Sequence, residues 1–491
     1  MASLWQATSP TIGFDEASDP GGIEVAVVGA GITGLTTAVL LAEQGARVVV
    51  LEAREVGAAA TGSTTAKLSL LQGDRLHRIL RLARTDAVHA FVEGSLEGQR
   101  RLLALLEGHE GAFERRSAVS FASTADGAEG LERELEAGQR LGLHVERGGA
   151  ATLPFEPAGA IRLVDQAQLH PMAALAALAA RLREVGGSIV RAAVRRARVA
   201  GREVVLETDA GEWRAEVVVL ATGSPVPARG TAALLEAHRS YAAAYRTAGP
   251  LPEPMALSVD SPSRSLRTAR IGGEEVLVAG GPGHAVGRHA DPRRLVAGLD
   301  GWVRAHWPDA ERTHVWSAQD YRTPDRLPWI GARAGSRGHV LLATGFDKWG
   351  MTGGAMSAIA LAGRIGGMEP DWARTLRRRG VTPAAAGKVV GAVGAVAAAQ
   401  ISRLGEAVSP VTAPPEGEGR LGRDGVRIVA MSTVQGETRT VSAVCPHVGA
   451  LVQWNAQERS WDCSAHGSRF APDGSRLEGP TDCPLRPLHA G

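Results

Sequence analysis

The chain has 491 residues, enough for more than one domain, and its 44% hydrophobic content suffices for sizeable buried cores. Its 54 Lys and Arg nearly balance its 52 Asp and Glu, and the resulting formal charge of +2 excludes a nucleic-acid binder that works by bulk charge. The first residues lack a basic region followed by an apolar one, so we expect no secretory signal and a cytoplasmic protein.

The first half of the chain begins with a polar arm and continues with a strand–helix–strand pattern. Residues 1–22 are the arm, residues 25–28 form an apolar strand, an amphipathic helix runs to about Gln44, and residues 48–51 form the second strand. Residues 75–150 have the Leu/Ala periodicity of helices. The pattern therefore predicts a βαβ unit at the front of the molecule, followed by a mainly helical segment.

The second half begins with short strands and Pro-rich turns at 240–330, a pattern typical of an antiparallel sheet. A strand at 338–344 and a helix at 354–364 follow. The composition then changes, because residues 378–420 are rich in Ala, Gly and Pro. The uncharged stretch 389–402 is shorter than the ~20 residues that a bilayer core requires, so we expect a packed helix or connector and no membrane span. Short strands after it predict a small all-β module.

A glycine-rich turn follows the first strand and opens the first helix. Gly29 permits the tight turn, Gly31 lets a pyrophosphate approach the backbone, and Gly34 lets the helix pack on the strand. Glu52 ends the second strand, where an acid binds ribose hydroxyls. The turn, the helix and the acid in register predict a dinucleotide site.

Four side chains near the C-terminus form a ligand pattern: Cys445 and His447 in one loop, Cys463 and His466 in another. All three cysteines of the chain lie in this module, which makes them a poor disulfide set. Each loop contributes one Cys and one His, whereas zinc fingers usually pair Cys with Cys and His with His. A [2Fe–2S] centre in which two histidines replace two cysteines fits this arrangement, and a zinc site is the rival hypothesis.

These two loops resemble the cluster loops of Rieske proteins. The places of the two extra cysteines of respiratory Rieske proteins hold Ala450 and Ala465, so the module resembles the ferredoxin-type branch. Ser468 is placed to donate a hydrogen bond to a cluster sulfur, while Phe470 replaces a tyrosine. Fewer such hydrogen bonds predict a reduction potential below the respiratory class. We expect the remaining Cys483 to be a buried apolar residue.

Four segments resemble the glycine/D-amino-acid oxidase (DAO) superfamily of FAD-dependent oxidoreductases: residues 61–67, 217–223, 325–331 and 344–353. With the C-terminal module, the whole chain resembles FAD-dependent oxidoreductases that carry a Rieske domain. The resemblance implies FAD and a [2Fe–2S] cluster as cofactors. The cofactor-binding residues that it implies are Gly29, Gly31, Gly34, Glu52, Arg54, Thr61, Gly62, Ser63, Thr64, Thr65, Lys67, Ala221, Thr222, Gly223, Gly345, Lys348, Trp349, Gly350, Met351 and Thr352.

The fold class implied is an α/β FAD-binding Rossmann-type domain with an α+β substrate domain, plus a small all-β Rieske domain at the C-terminus. The expected bounds are 1–22 for the arm, 23–375 for the oxidoreductase domain with insertions at about 75–160 and 235–330, 376–407 for the Ala/Gly-rich helix and linker, and 408–491 for the Rieske domain.

The candidate catalytic residues are Lys67, Lys348, His284 and Arg267. Lysine is scarce, since Lys67, Lys348 and Lys388 are the only three, and two of them lie in the flavin segments. Arg264, Arg267 and Arg322 are candidates to bind a substrate carboxylate, because guanidinium pairs with it in a bidentate manner. Gln319 occupies the approximate place of the cysteine that tethers the flavin in some relatives, so we expect non-covalent FAD.

Two functional hypotheses follow. In the first, the protein oxidises an amine or amino-acid-like small molecule, as a dehydrogenase or oxidase, and electrons leave FAD singly through the Rieske cluster to a one-electron acceptor protein. In the second, the protein is an electron-transfer component between an external carrier and a partner enzyme. A redox-sensing protein without turnover is a third, weaker alternative. We expect no nucleic-acid partner and no membrane-spanning segment.

Overall fold

The computed structural model describes residues 2–16, 22–224 and 235–488. The helices within these residues are α1 (Leu4–Thr8), α2 (Ile32–Glu43), α3 (Arg75–Leu80), α4 (Thr85–Leu106), α5 (Ala125–Arg140), α6 (Pro171–Glu184), α7 (Arg293–His306), α8 (Gly350–Ile365), α9 (Asp371–Arg378) and α10 (Pro383–Glu406).

The strands of the first half are β1 (Ile23–Val28), β2 (Val48–Glu52), β3 (Lys67–Leu68), β4 (Phe113–Ala122), β5 (Glu146–Arg147), β6 (Gly159–Leu169), β7 (Ser188–Arg191), β8 (Val194–Ala200), β9 (Glu203–Thr208) and β10 (Gly211–Leu220). Those of the middle are β11 (Glu236–Arg246), β12 (Met255–Ser258), β13 (Ser265–Ile271), β14 (Glu274–Ala285), β15 (Glu311–Arg322), β16 (Trp329–Ala332) and β17 (Val340–Thr344). The C-terminal strands are β18 (Gly419–Asp424), β19 (Arg427–Val434), β20 (Glu437–Ser442), β21 (Val452–Asn455), β22 (Ser460–Cys463), β23 (Arg469–Phe470), β24 (Arg476–Glu478) and β25 (Pro487–Leu488).

An eight-stranded sheet with the order β16-β17-β10-β1-β2-β7 holds the predicted βαβ unit. β1 pairs in parallel with both β2 and β10, and its apolar residues are buried as expected of a central strand. The carboxyl ends of β1, β2, β10 and β17 meet at one edge of this sheet, where open α/β sheets bind their ligands. The Rossmann-type prediction is confirmed.

A nine-stranded sheet forms the second layer and contains the predicted antiparallel strands of 240–330. β11 pairs antiparallel with β14 and β15, which brings the 235–246 and 311–322 stretches together. The expectation that 75–150 is mainly helical needs a correction. That stretch also contains the strand β4, which pairs with β6 and β12 and is buried at its end.

The C-terminal module consists of two four-stranded sheets, β18-β19-β20-β25 and β21-β22-β23-β24, as the all-β prediction stated. Its core contains Trp454, Trp461 and Phe470, together with both predicted cysteine ligands. The ligand loops follow β20 and β22, so hairpin geometry fixes their positions.

We expected a packed helix or a connector here, and α10 is a connector, which joins the two halves without being packed along its length. Only Ala385 and Arg403 are buried along its length, and Val390 is 73% exposed. By length and composition alone α10 could cross a membrane, with a mean hydropathy of 1.5 in a window that is 6% buried. The helix is nevertheless attached at both ends: Thr382 donates to the Leu82 carbonyl, and Gln400 accepts from the N–H of Leu451.

Candidate functional site

A cavity of about 920 Å³ opens at the carboxyl ends of β1, β2 and β10. It contains most of the residues predicted to bind the cofactor. Those that line it are Gly29, Gly31, Glu52, Arg54, Thr61, Ser63, Thr64, Thr65, Lys67, Ala221, Thr222, Gly223, Lys348, Trp349, Gly350 and Met351.

The glycine-rich turn has the geometry that its sequence predicts. Gly29 has φ of 109°, and a Cβ there would lie 2.6 Å from the Ala221 carbonyl oxygen. A Cβ on Gly34 would lie 1.9 Å from the Gly29 carbonyl oxygen, so only glycine lets α2 pack this closely on β1. The carboxylate of Glu52 accepts from the N–H groups of Ala30 (2.8 Å) and Arg54 (2.9 Å), which fixes it beside the turn.

Four predicted cofactor residues lie outside the cavity lining and have structural roles instead: Gly34, described above, Gly62, Gly345 and Thr352. A Cβ on Gly62 would meet the Gly57 carbonyl oxygen at 2.1 Å, so this glycine allows a close backbone approach. Gly345 has φ of 77° in the turn that ends β17. The Thr352 hydroxyl is buried against the backbone of Ser69, where it accepts from the N–H (3.1 Å) and donates to the carbonyl (3.0 Å).

Lys67 and Lys348, the two lysines of the flavin segments, both line the cavity, but their surroundings differ. Lys67 is buried and donates to the Ala256 carbonyl at 2.6 Å; burial, followed by the nearby Arg267 guanidinium, holds the pKa of Lys67 well below its usual value. Lys348 projects into the cavity from a left-handed backbone position with φ of 72°. Enclosure by protein and the Arg322 guanidinium lower the pKa of Lys348 to about 8.

The carboxyl group of Asp320 is a cavity residue that sequence reasoning missed. It accepts from the backbone N–H of Lys348 and of Tyr321 (2.7 Å). Burial raises the pKa of Asp320 to about 6. The only signal in the sequence was that Asp320 directly follows Gln319, because none of the four flavin segments described above contains it. Asp320 and Lys348 therefore put an acid and a base of shifted pKa at one end of the cavity.

The three arginines proposed to bind a substrate carboxylate are engaged elsewhere, which corrects that prediction. Arg267 is buried and donates to four backbone carbonyls, among them those of Thr65 (3.0 Å) and Leu169 (2.9 Å). Arg322 lines the cavity but is paired with Asp347 at 2.5 Å. Arg264 lies outside the lining, with its guanidinium 5.6 Å from the centre of the Trp302 ring.

His284 is also not a cavity residue. Its ring stacks on Tyr241 with 5.9 Å between ring centroids, and its Nδ1 lies 2.9 Å from the Ala285 carbonyl oxygen. Burial lowers the pKa of His284 to about 4. The histidine is therefore neutral at physiological pH and is held between the nine-stranded sheet and the C-terminal module, rather than available as a base.

The four predicted ligands come together at the tip of the C-terminal module. Cys445 and Cys463 are buried, and the rings of His447 and His466 have centroids 4.9 Å apart. The Nδ1 atom of His466 is buried with no hydrogen-bond partner among the described residues, as expected of an atom that binds a metal.

Hydrogen-bond donors surround the sulfur of Cys445. The Cys463 thiol, the N–H groups of His447 and Val448 and the Ser468 hydroxyl together lower the pKa of Cys445 to about 7 against the effect of burial. Ser468 therefore lies where the sequence placed it, next to a cluster sulfur. Cys483 is exposed, which contradicts the expectation of a buried thiol.

Comparison with known proteins identifies both halves. The model of the family "FAD dependent oxidoreductase" (DAO) matches residues 24–364. The chain belongs to this DAO family. The Rieske [2Fe-2S] domain family matches residues 408–488. The protein is therefore an FAD-dependent oxidoreductase with a Rieske domain, and its cofactors are FAD and a [2Fe–2S] cluster.

Relatives agree with this architecture. The Rieske 2Fe-2S iron-sulfur protein YhfW of Bacillus subtilis is 29% identical over 99% of this chain and 97% of its own. Glycine oxidase from Geobacillus kaustophilus is 21% identical, with a TM-score of 0.59 over 71% of this oxidoreductase and 95% of that chain. L-proline dehydrogenase from P. horikoshii is 18% identical, with a TM-score of 0.57 over 72% and 96% of the two chains. These two structures share the fold of the part of this chain that they cover.

The Rieske domain of the oxidoreductase packs directly on the flavin domain. The side chain of Gln319, in the cavity wall, donates to the carbonyl of Gly467 at 2.8 Å, and Gly467 follows the ligand His466. Buried Arg239 of β11 pairs with Glu478 of β24 at 2.6 Å. Residues 476–479 of the Rieske domain line the same cavity as the glycine-rich turn. Sequence reasoning could not find this contact, because its partners are distant in the chain.

Proposed function

We propose that this oxidoreductase oxidises an amine or amino-acid-like substrate in the flavin cavity and passes the electrons to its Rieske cluster. The observation that carries the proposal is the hydrogen bond between Gln319 and the Gly467 carbonyl. It joins the wall of the flavin cavity to the residue beside a cluster ligand. No movement of the Rieske domain is then required for the two cofactor sites to be neighbours.

The chemistry of the two cofactors suits this division of labour. When bound, FAD accepts two electrons together, whereas a [2Fe–2S] cluster carries one at a time. The chain supplies a charged cavity end for the substrate, where Asp320 (pKa about 6) and Lys348 (pKa about 8) can each hold or release a proton near neutral pH. A carboxylate paired with Arg322 and Arg326, that of Asp347, lies beside them.

The engaged state of the predicted arginine clamp favours substrate recognition through the amine. Arg322 and Arg326 both line the cavity, but both are held by ion pairs to the same carboxylate, that of Asp347. Asp320 accepts only backbone N–H groups among the contacts of the described residues, which leaves its carboxylate able to bind an ammonium group. We therefore rank amines above simple carboxylates as substrates.

The electron-transfer alternative requires a site for an external carrier such as NAD(P)H. The Gly-rich stretch 279–284, which mimics a second dinucleotide loop, lies within β14 of the antiparallel sheet. A strand in mid-sheet has no helix N-terminus to bind a pyrophosphate. This placement supports the first hypothesis over the second.

The test is anaerobic mixing of the FAD- and iron-loaded protein with a panel of amines, amino acids, NADH and NADPH. We expect an amine or amino acid to bleach the flavin absorbance and the EPR signal of the reduced cluster to follow. Bleaching by NADH or NADPH alone would contradict the proposal and favour the electron-transfer component. Flavin bleaching without any cluster signal would support substrate oxidation but would contradict electron transfer from the flavin to the cluster.

A further inference from the structure

Helix α10 presents an apolar face to solvent on the side away from the protein. Its outward residues Val390 and Ile401 are 73% and 71% exposed, and Val393 and Leu404 are exposed beside them. An apolar helix of this length is ordinarily buried in a core or in lipid. Contiguous exposed apolar surface of this kind marks an interaction site.

The face cannot belong to a membrane-spanning helix while the domains are docked. One end of α10 is attached to the flavin domain through Thr382, and the other to the Rieske domain through Gln400 and Arg403. A span would place these domains on opposite sides of a bilayer, yet the buried Arg239–Glu478 pair joins them directly. Helix α10 therefore lies along one side of the molecule.

The segment that contains this face is rich in cations. Between Asp371 and Glu406 the chain has no acidic residue, and it has six cations: Arg374, Arg377, Arg378, Arg379, Lys388 and Arg403. Four of them are paired with acids, at Asp371, Glu369, Asp325 and Glu406. Arg378 and Lys388 are exposed and make no ion pair with any described residue. The chain as a whole is almost neutral at +2, so this basic segment is a local feature.

The C-terminal part of α10 lies beside the cluster loops. Gln400 donates to the hydroxyl of Ser464, the residue after the ligand Cys463, and to the Leu451 carbonyl. The neighbouring loop exposes Val444 and Val448 on either side of the ligand His447. Helix α10 and the exposed valines beside His447 are therefore neighbours in the structure.

We propose that α10 and the cluster loop rest on the surface of a lipid bilayer that contains anionic lipid. A second copy of this chain would bring two basic segments together, which like charges oppose. The face offers only Val, Ile, Leu, Ala and Gly, whereas protein interfaces concentrate aromatic residues, Met and Arg. Apolar side chains on one face of α10, with the unpaired cations Lys388 on its opposite face and Arg378 on α9, match an interfacial helix on an anionic bilayer instead.

Co-sedimentation of the cofactor-loaded full-length protein with vesicles tests the proposal. We expect binding to phosphatidylcholine vesicles that contain phosphatidylglycerol, and at least about tenfold weaker binding to phosphatidylcholine alone. The Val390→Ser/Val393→Ser/Ile401→Ser variant should lose this binding by a similar factor, and so should Arg378→Gln/Lys388→Gln. Because all these side chains are exposed, flavin content and melting temperature should stay at wild-type values.

The matched control is Val426→Ser, which removes an isolated valine that is 94% exposed in the β18–β19 turn. This variant should bind vesicles as the wild type does. Absence of wild-type binding to either vesicle, or an equal loss in Val426→Ser, would overturn the proposal. A wild-type dimer in light scattering that the triple variant converts to monomer would overturn it in favour of a second copy.

Discussion

At the scale of single residues, the site depends on groups whose ordinary chemistry is altered by enclosure. Lys67, Lys348 and Asp320 all line the flavin cavity. Burial lowers the pKa of the two lysines and raises that of the aspartate, so it favours the neutral form of each group. Lys67 is further fixed by its hydrogen bond to the Ala256 carbonyl. Lys348, with a pKa of about 8, carries a charge that changes near the physiological pH range.

We expect Lys348 to stabilise negative charge in the cavity while it is protonated. Since its pKa is about 8 in the folded protein, the ammonium group is present below that pH and is lost as the pH rises through it. Lys348→Met should lower the flavin midpoint potential at pH 7 by roughly 30 mV, equivalent to about 1.4 kcal/mol for two electrons. The difference from wild type should shrink above pH 8.

Spectroelectrochemical titration from pH 6.5 to 9.5 measures this difference. Lys388→Met is the matched control, because Lys388 lies on the exposed face of α10. If the difference in flavin midpoint potential between wild type and Lys348→Met does not change across this pH range, the positive charge assigned to Lys348 is rejected.

The Ser468 hydroxyl contributes to the cluster potential through its contact with the Cys445 sulfur. A hydrogen bond to sulfur stabilises the reduced, more negative cluster. Ser468→Ala should therefore lower the cluster potential by roughly 40 mV, the equivalent of about 1 kcal/mol for one electron. Redox titration followed by EPR measures the shift, and an unchanged or higher potential would contradict the role. The same titration tests whether the wild-type potential lies below that of respiratory Rieske proteins.

At the scale of elements, the contact of α2 with β1 explains the glycine pattern. The first turn of α2 lies against the Gly29 carbonyl, and any side chain at position 34 would occupy the same space. The same close approach exposes the N-terminus of α2 to the cavity, where a helix binds a pyrophosphate. Packing and cofactor binding thus have one geometric cause.

Gly34→Ala should destabilise the protein by more than about 3 kcal/mol and abolish FAD retention, because backbone atoms on both sides cannot yield. Gly298→Ala is the control, since a Cβ there meets nothing within 4 Å on helix α7. That control should retain FAD and be slightly more stable. Thermal unfolding and flavin content after gel filtration distinguish the two variants, and a Gly34→Ala protein with full flavin content would refute the argument.

At the scale of the whole molecule, two domains share one cavity. Arg239 is buried and pairs with Glu478, which also pairs with Arg469 of the Rieske domain at 3.3 Å. Because residues 476–479 line the flavin cavity, domain docking and FAD binding are expected to be coupled and therefore reciprocal.

Arg239→Met leaves the partly buried Glu478 with Arg469 as its remaining ion-pair partner and should weaken docking by about 3 kcal/mol. We expect FAD release at lower denaturant concentration and faster proteolysis around α10. Arg293→Met is the control across the same interface, because its pair with Glu418 (2.7 Å) is exposed and worth less than about 1 kcal/mol. Equal effects of the two substitutions on FAD retention would exclude the coupling.

The sequence alone predicted the elements whose cause is local. The strand, the turn and the acid of the dinucleotide site are specified by neighbouring residues, as are the two Cys–His loops. The helical reading of 75–150 failed at β4, because pairing with β6 and β12 outweighed the periodicity around it. The roles of Arg267 and His284 were wrong for the same reason, since their partners come from distant strands.

The ligand set, the glycine turn and the composite of FAD and Rieske domains were thus determined by the sequence, since motif spacing of a few residues fixes local backbone geometry. Only the tertiary structure decided that the cluster loop meets the flavin cavity. The contacts responsible join residues 148 positions apart at Gln319–Gly467 and 239 apart at Arg239–Glu478. No local pattern encodes such pairs, because they exist only after both domains have folded and their buried charges have found each other.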